Sequence, residues 1–130
     1  MSFPVGGENR INTYEIPGAY IKRPTNGEEE PAGRWGAISF DDGSRRTLAV
    51  VNDSKYSYDC PDNDLRLTVI RNVIFADHYS DRPAANFNFT DEGMQRFEYG
   101  IFVCDGEAEK SGIMNEAAKF NIRLMAVPES

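Results

Sequence analysis

Histidine and cysteine are almost missing from this 130-residue chain, which has one histidine, His78, and two cysteines, Cys60 and Cys104. A zinc centre needs several converging ligands, usually rich in His or Cys, so little is available to build a resident metal site. Two cysteines cannot make a disulfide framework. They read as reduced, buried thiols packed as small hydrophobes, unless neighbouring strands bring them together once. Basic residues are also short: Lys plus Arg number 14 against 21 Asp plus Glu, a net charge of −7. So acidic a surface repels a phosphate backbone, and the longest basic cluster is the pair Arg45-Arg46, so nucleic acid is not an expected partner. No run approaches the roughly 18–20 apolar residues of a membrane helix. Residues 1–7 show no basic stretch followed by an apolar one, so no export signal is read. The expectation is a cytoplasmic protein with no membrane partner. Walker and GxGxxG phosphate cradles are missing as well.

What is present is β patterning. With 40% hydrophobic and 27% charged residues, the chain is ordinary globular material for one core, and residues 1–130 are read as a single domain. Residues 12–16 and 19–22 are short extended segments around the turn dipeptide Pro17-Gly18. Residues 35–40 read as a strand closed by Asp41-Asp42-Gly43-Ser44. Residues 47–51 and 55–60 flank the turn Asn52-Asp53-Ser54, which predicts a hairpin over 47–60. Leu65, Leu67 and Val69 alternate with Arg66, Thr68 and Ile70. Phe97, Tyr99, Ile101 and Val103 alternate in the same way, which assigns Phe97 and Tyr99 to the core. One short helix is expected after Ser111 as N-cap, with Ile113, Ala117 and Phe120 on one face. Residues 124–127 are a candidate last strand, and 77–93 a surface insertion. The fold class is mainly β, an antiparallel β-sandwich with at most one short helix.

The catalytic inventory is thin. His78 lies in Asp77-His78-Tyr79-Ser80-Asp81 and reads as a solvated loop histidine, because no serine sits on a strand-to-helix elbow and no ligand set surrounds it. Glycosidase chemistry needs two acids flanking a cleft, whereas Glu28, Glu29 and Glu30 are adjacent and point different ways along a loop. Such a run serves as solvated surface or as partner for arginine. No catalytic or metal-ligating residue is assigned. Aromatics make up 12% of the chain, and an exposed row of them on a sandwich would grip the flat face of a sugar ring.

The polar strings are more specific than their chemistry requires. Arg23-Pro24-Thr25-Asn26-Gly27-Glu28-Glu29-Glu30-Pro31 is followed by Asn52-Asp53-Ser54-Lys55-Tyr56-Ser57-Tyr58-Asp59 and by Leu65-Arg66-Leu67-Thr68-Val69-Ile70-Arg71. After the insertion come Phe97-Glu98-Tyr99-Gly100 and Ala117-Ala118-Lys119-Phe120-Asn121. In this order they resemble the C-terminal β-sandwich region of the family 38 glycoside hydrolases, the α-mannosidases, over about residues 17–127. The chain departs from that pattern at Ser57, where the family has glycine, at Cys104-Asp105 in place of Pro-His, and at Arg123 in place of proline.

The resemblance implies part of the galactose-mutarotase-like supersandwich of a longer retaining α-mannosidase, and so a fragment whose catalytic barrel is absent. It implies zinc and a catalytic aspartate in that barrel, with no cofactor in this chain. The implied partners are the catalytic domain of the same polypeptide and a mannoside or glycan substrate. Arg23, which opens the first string, becomes the candidate substrate contact, with an ion pair to Glu28, Glu29 or Glu30 as the alternative. A stand-alone carbohydrate-binding sandwich and a structural interaction module, the latter prone to self-association as a homo-oligomer, are the competing expectations.

Overall fold

Nine strands, one turn of 3-10 helix and one α-helix make up the computed structural model, which describes residues 1–43, 45–74, 88–122 and 124–126. The strands are β1 (Ser2–Pro4), β2 (Glu8–Ile16), β3 (Ala19–Arg23), β4 (Glu30–Pro31), β5 (Trp35–Asp41), β6 (Arg46–Asn52), β7 (Ser57–Asp59), β8 (Asp64–Leu67) and β9 (Tyr99–Asp105). The 3-10 turn is Ala108–Lys110 and α1 spans Ile113–Asn121. Every strand pairing is antiparallel. A four-stranded sheet has the order β1-β8-β7-β4 and a five-stranded sheet the order β3-β2-β5-β6-β9. The expected sandwich with one short helix is what forms.

Turn chemistry produces the first hairpins. Gly18, at φ 74°, supplies the left-handed step between β2 and β3 that a residue with a Cβ takes only under strain. Gly43, at φ 93°, does the same between β5 and β6, where its N–H donates to Asp41 Oδ1 at 3.0 Å.

Alternation then sorts the five-stranded sheet into two faces. Tyr14, Ile38 and Val50 face the smaller sheet and pack on Tyr58, Cys60, Leu65 and Leu67. Trp35, Ala37, Ala49 and Val51 face the other way, and the small alanines let Ile113 and Ala117 of α1 come in against them, with Phe102 and Phe120 at the border. Burial of each large side chain here contributes about 1.5–3 kcal/mol. The molecule is thus three layers: small sheet, large sheet, helix. A buried polar seam ties the last two together. Ser39 Oγ and Thr47 Oγ1 lie 2.7 Å apart, Thr47 Oγ1 donates to the Gly106 carbonyl, and Ala108 N–H donates to Ser39 Oγ.

Several sequence expectations change. Residues 47–60 are not a hairpin: β6 pairs with β5 and β9, while β7 pairs with β4 and β8 in the other sheet. The intervening turn is a crossing between sheets. It is pulled round by Asn52, whose Oδ1 accepts from Ser54 N–H at 3.1 Å and Lys55 N–H at 2.5 Å, and whose Nδ2 donates to Tyr58 Oη at 2.7 Å. Ser111 caps the 3-10 turn through the Ala108 carbonyl, and Gly112, at φ 80°, is the N-cap of α1. The strand that begins at residue 65 ends at Leu67, with one further ladder bond from Thr68 N–H to the Ser57 carbonyl at 3.0 Å. Residues 124–126 form no strand, and residue 127 lies outside the described residues.

Tyr99, Ile101 and Val103 are exposed, whereas Gly100, Phe102 and Cys104 turn toward the helix layer. The alternation is real, but the face it marks is largely uncovered among the described residues. Cys60 lies in the inter-sheet core and Cys104 on the opposite face of the large sheet, so both thiols are free and only Cys60 is fully buried. Among the described residues, no helix is long and apolar enough to cross a membrane. His78 and most of the 77–93 insertion lie outside the described residues.

Candidate functional site

An open cleft of about 440 Å³ lies beside β7 and the segment after β8. Three of the specific strings meet there, contributing Glu29 from the first, residues 54–57 from the second and residues 68–71 from the third, with Asp91 and Gln95 closing the far side. The topology explains the convergence. β4 pairs with β7 and β7 with β8, so residues next to these short strands are brought close together.

Glu29 is the anchored charge of the cleft. The neighbouring hydroxyls of Thr68 and Ser57, with Arg71 3.4 Å away, outweigh partial burial and hold its pKa below the ordinary glutamate range. Ser57, where the resembling family has glycine, sits in extended backbone in β7, and its hydroxyl donates to the Glu30 carbonyl at 3.4 Å beside Glu29.

Arg71 is set by its own backbone. Its N–H donates to Asp91 Oδ2 at 2.8 Å, and its carbonyl accepts from Thr90 Oγ1 at 2.5 Å. Lys55 Nζ donates to Gln95 Oε1 at 3.3 Å and stands 5.5 Å from the centre of the Phe97 ring. Tyr56 projects from the rim with 65% of its surface exposed.

Beneath the rim, Asp53 locks the turn to the start of β9. Its Oδ1 accepts from Glu98 N–H at 3.0 Å and from Ser54 Oγ at 2.8 Å, and its own N–H donates to the Glu98 carbonyl at 3.2 Å. Burial pushes the Asp53 carboxyl up, but these donors prevail and its pKa lies below the ordinary aspartate range.

Chemically the described groups of the cleft offer hydrogen bonds and one flat ring. A fixed carboxylate accepts, while a guanidinium, an ammonium and an amide donate. A phenol ring offers a flat apolar face. Glu29 is held in its ionised form, and Asp91 accepts from the Arg71 backbone N–H. Among the described residues, no three His, Cys, Asp or Glu side chains converge to hold a metal.

Arg23, the candidate read from the sequence, stands at the end of β3 and is not a lining residue of this cleft. Its Nη1 lies 3.5 Å from Glu30 Oε2, so the alternative ion pair is formed. Sequence reasoning assigns Glu29 only to solvated surface or an arginine pair, quotes Tyr56 and Arg71 only within strings, and gives Gln95 no role. The available signal was the co-occurrence of the strings, which points to a shared place in the fold before any residue in them looks reactive.

The chain matches the family model described as the glycosyl hydrolases family 38 C-terminal domain over residues 1–79. It is similar to alpha-mannosidase 2C1 of Mus musculus, 27% identical over 136 aligned residues that cover 98% of the chain and 12% of that protein. The alpha-mannosidase 2C1 of Homo sapiens matches with the same identity and coverage. The chain thus spans about one-eighth of the length of these curated relatives. No solved structure matches it.

Proposed function

The chain belongs to the family of glycosyl hydrolase family 38 C-terminal domains, and on that premise we propose that it is the accessory β-sandwich of a longer retaining α-mannosidase. It packs on the catalytic portion of that polypeptide and helps wall the pocket that holds a terminal α-mannoside. The observation that carries this reading is the convergence of three family-like strings on one cleft whose groups suit a polyol. Glu29 accepts from sugar hydroxyls, Arg71, Lys55 and Gln95 donate to them, and Tyr56 covers the C–H face of a ring. Arg23 is a second contact point in the same reading, its guanidinium shared with Glu30. In this reading the zinc of such an enzyme belongs to the catalytic portion, and this chain contributes no ligand to it.

An antibody raised against the chain tests this directly. The expected result is an immunoblot band several-fold heavier than 14.6 kDa, with the captured material releasing nitrophenol from p-nitrophenyl α-mannoside while the isolated chain does not. The exposed rim position of Tyr56 supports the second reading, a free-standing sugar-binding module. A band only at 14.6 kDa, with saturable mannose binding by the isolated chain, would establish that reading and reject the first.

A further inference from the structure

We infer that the outer edge of β9 is a docking edge that receives an extended, apolar-alternating segment from the remaining polypeptide of the parent mannosidase; this rests on the accessory-domain reading above. Tyr99, Ile101 and Val103 stand opposite Asn52, Val50 and Leu48 of β6, so they share the face of the large sheet that carries the inter-sheet core. Inside that core, Val50 is fully buried, yet one strand further out Ile101 is 50% and Val103 62% exposed.

Sheet size is the cause. The small sheet has strands of only two to four residues. Its edge strand β1 reaches β9 at one end alone, where Phe3 and Tyr99 meet with ring centres 6.0 Å apart. The rest of the inner face of β9 has nothing laid over it among the described residues.

The edge itself is also open. β9 ends the order of the large sheet, so its outer row of backbone groups has no strand partner among the described residues. Proteins normally blunt such an edge with lysine, proline or a bulge. Tyr99-Gly100-Ile101-Phe102-Val103-Cys104-Asp105 has neither lysine nor proline, and its seven register partners on β6 run without a break. A long, regular, apolar edge of this kind suits strand addition.

Two facts select the occupant. The relatives carry far more polypeptide than this chain, which covers 12% of their length. A second copy is disfavoured by charge, since each carries −7. A symmetric antiparallel pairing centred on Phe102 would also set Glu98 of each copy between Asp105 and Glu107 of the other.

Hydrogen exchange read by mass spectrometry, on the isolated chain and on the antibody-captured longer polypeptide, tests the inference. In the longer polypeptide the amides of residues 99–105 are expected to exchange at least about tenfold more slowly than in the isolated chain. The double variant Ile101→Lys, Val103→Lys should leave the unfolding temperature of the isolated chain unchanged and abolish that extra protection in the longer polypeptide. If the pair unfolds the isolated chain, Val103→Lys alone takes its place. A longer, active mannosidase whose β9 exchanges as in the isolated chain would overturn the docking edge and leave the accessory reading standing. Finding no longer polypeptide removes both. An isolated chain that sediments as a dimer, with β9 protected and the lysine pair restoring the monomer, would assign the edge to a second copy and overturn the inference.

Discussion

Replacing Asn52 with alanine is the sharpest test of how the chain crosses from one sheet to the other. The side chain is fully buried and makes three hydrogen bonds at the corner between β6 and β7. The N–H groups of Ser54 and Lys55 lie in a turn where water can replace part of what is lost, so each bond is worth about 0.5–1 kcal/mol. Tyr58 Oη is different. It is buried, donates to the Val50 carbonyl at 3.0 Å, and loses its one donor when the Asn52 amide goes, which adds about 1–2 kcal/mol. The sum is about 3 kcal/mol out of a total stability of about 5–15 kcal/mol. For a domain of this size the melting temperature should fall by about 10 °C.

Urea unfolding followed by the fluorescence of Trp35, which is fully buried at the helix-facing side of β5, reads the loss directly. Tyr58→Phe removes the same contact from the other end. The double variant should therefore cost about 1 kcal/mol less than the two single losses added together. A loss below about 1 kcal/mol for Asn52→Ala, or strict additivity with Tyr58→Phe, would refute the claim that this amide holds the crossing.

Two further outcomes follow from neighbouring residues. A Cβ at Gly36 would come within 2.8–2.9 Å of the Tyr58 ring, itself fully buried, so Gly36→Ala should destabilise by about 2 kcal/mol through overpacking, measured by the same unfolding curve. Asp53→Ala should cost about 1 kcal/mol at pH 7 through the lost bonds to Glu98 N–H and the Ser54 hydroxyl. The folded carboxyls of Asp53 and Glu29 titrate below their unfolded values, so their stabilisation is complete above about pH 4–5 and is lost as pH falls through the folded values. Thermal melts of Asp53→Ala between pH 7 and pH 2 should therefore converge on those of the original protein at the acid end. A gap that widened on acidification would contradict this.

Period-two patterning and turn dipeptides made most strands legible, because both are local. Pro17-Gly18 and Asp41-Asp42-Gly43 name their turns by residue type, and the structure places β2, β3, β5 and β6 beside them. Pairing is not local. Nothing in Asn52-Asp53-Ser54 distinguishes a hairpin from a crossing, since the same Asx bonds close either; what decides is that Tyr58 must reach the Asn52 amide from the other sheet. Alternation in β9 likewise states which residues share a face and is silent on whether that face is covered. Coverage is set by the shortness of β1 and β8, a property of distant segments. The cleft is illegible in the sequence for a related reason. Its residues come from three strings separated in sequence, and none of Glu29, Arg71 or Gln95 has a reactive neighbour along the chain.

The cleft and the open edge turn out to be parts of one surface. Lys55 lines the cleft and lies over Phe97, Phe97 stacks on Tyr99 with ring centres 6.3 Å apart, and Tyr99 begins β9. Asp53 clamps the same junction by exchanging backbone and side-chain bonds with Glu98. A segment seated along β9 therefore ends beside Lys55 and Gln95, within a few residues of the groups that suit a sugar. That adjacency gives the proposed docking and the proposed glycan contact a common geometry. Strand addition at the edge would fix the distance between a partner and the cleft through backbone hydrogen bonds, whose spacing does not depend on side-chain identity. A domain attached through flexible side-chain contacts alone would leave that distance loose, and a pocket wall needs it set.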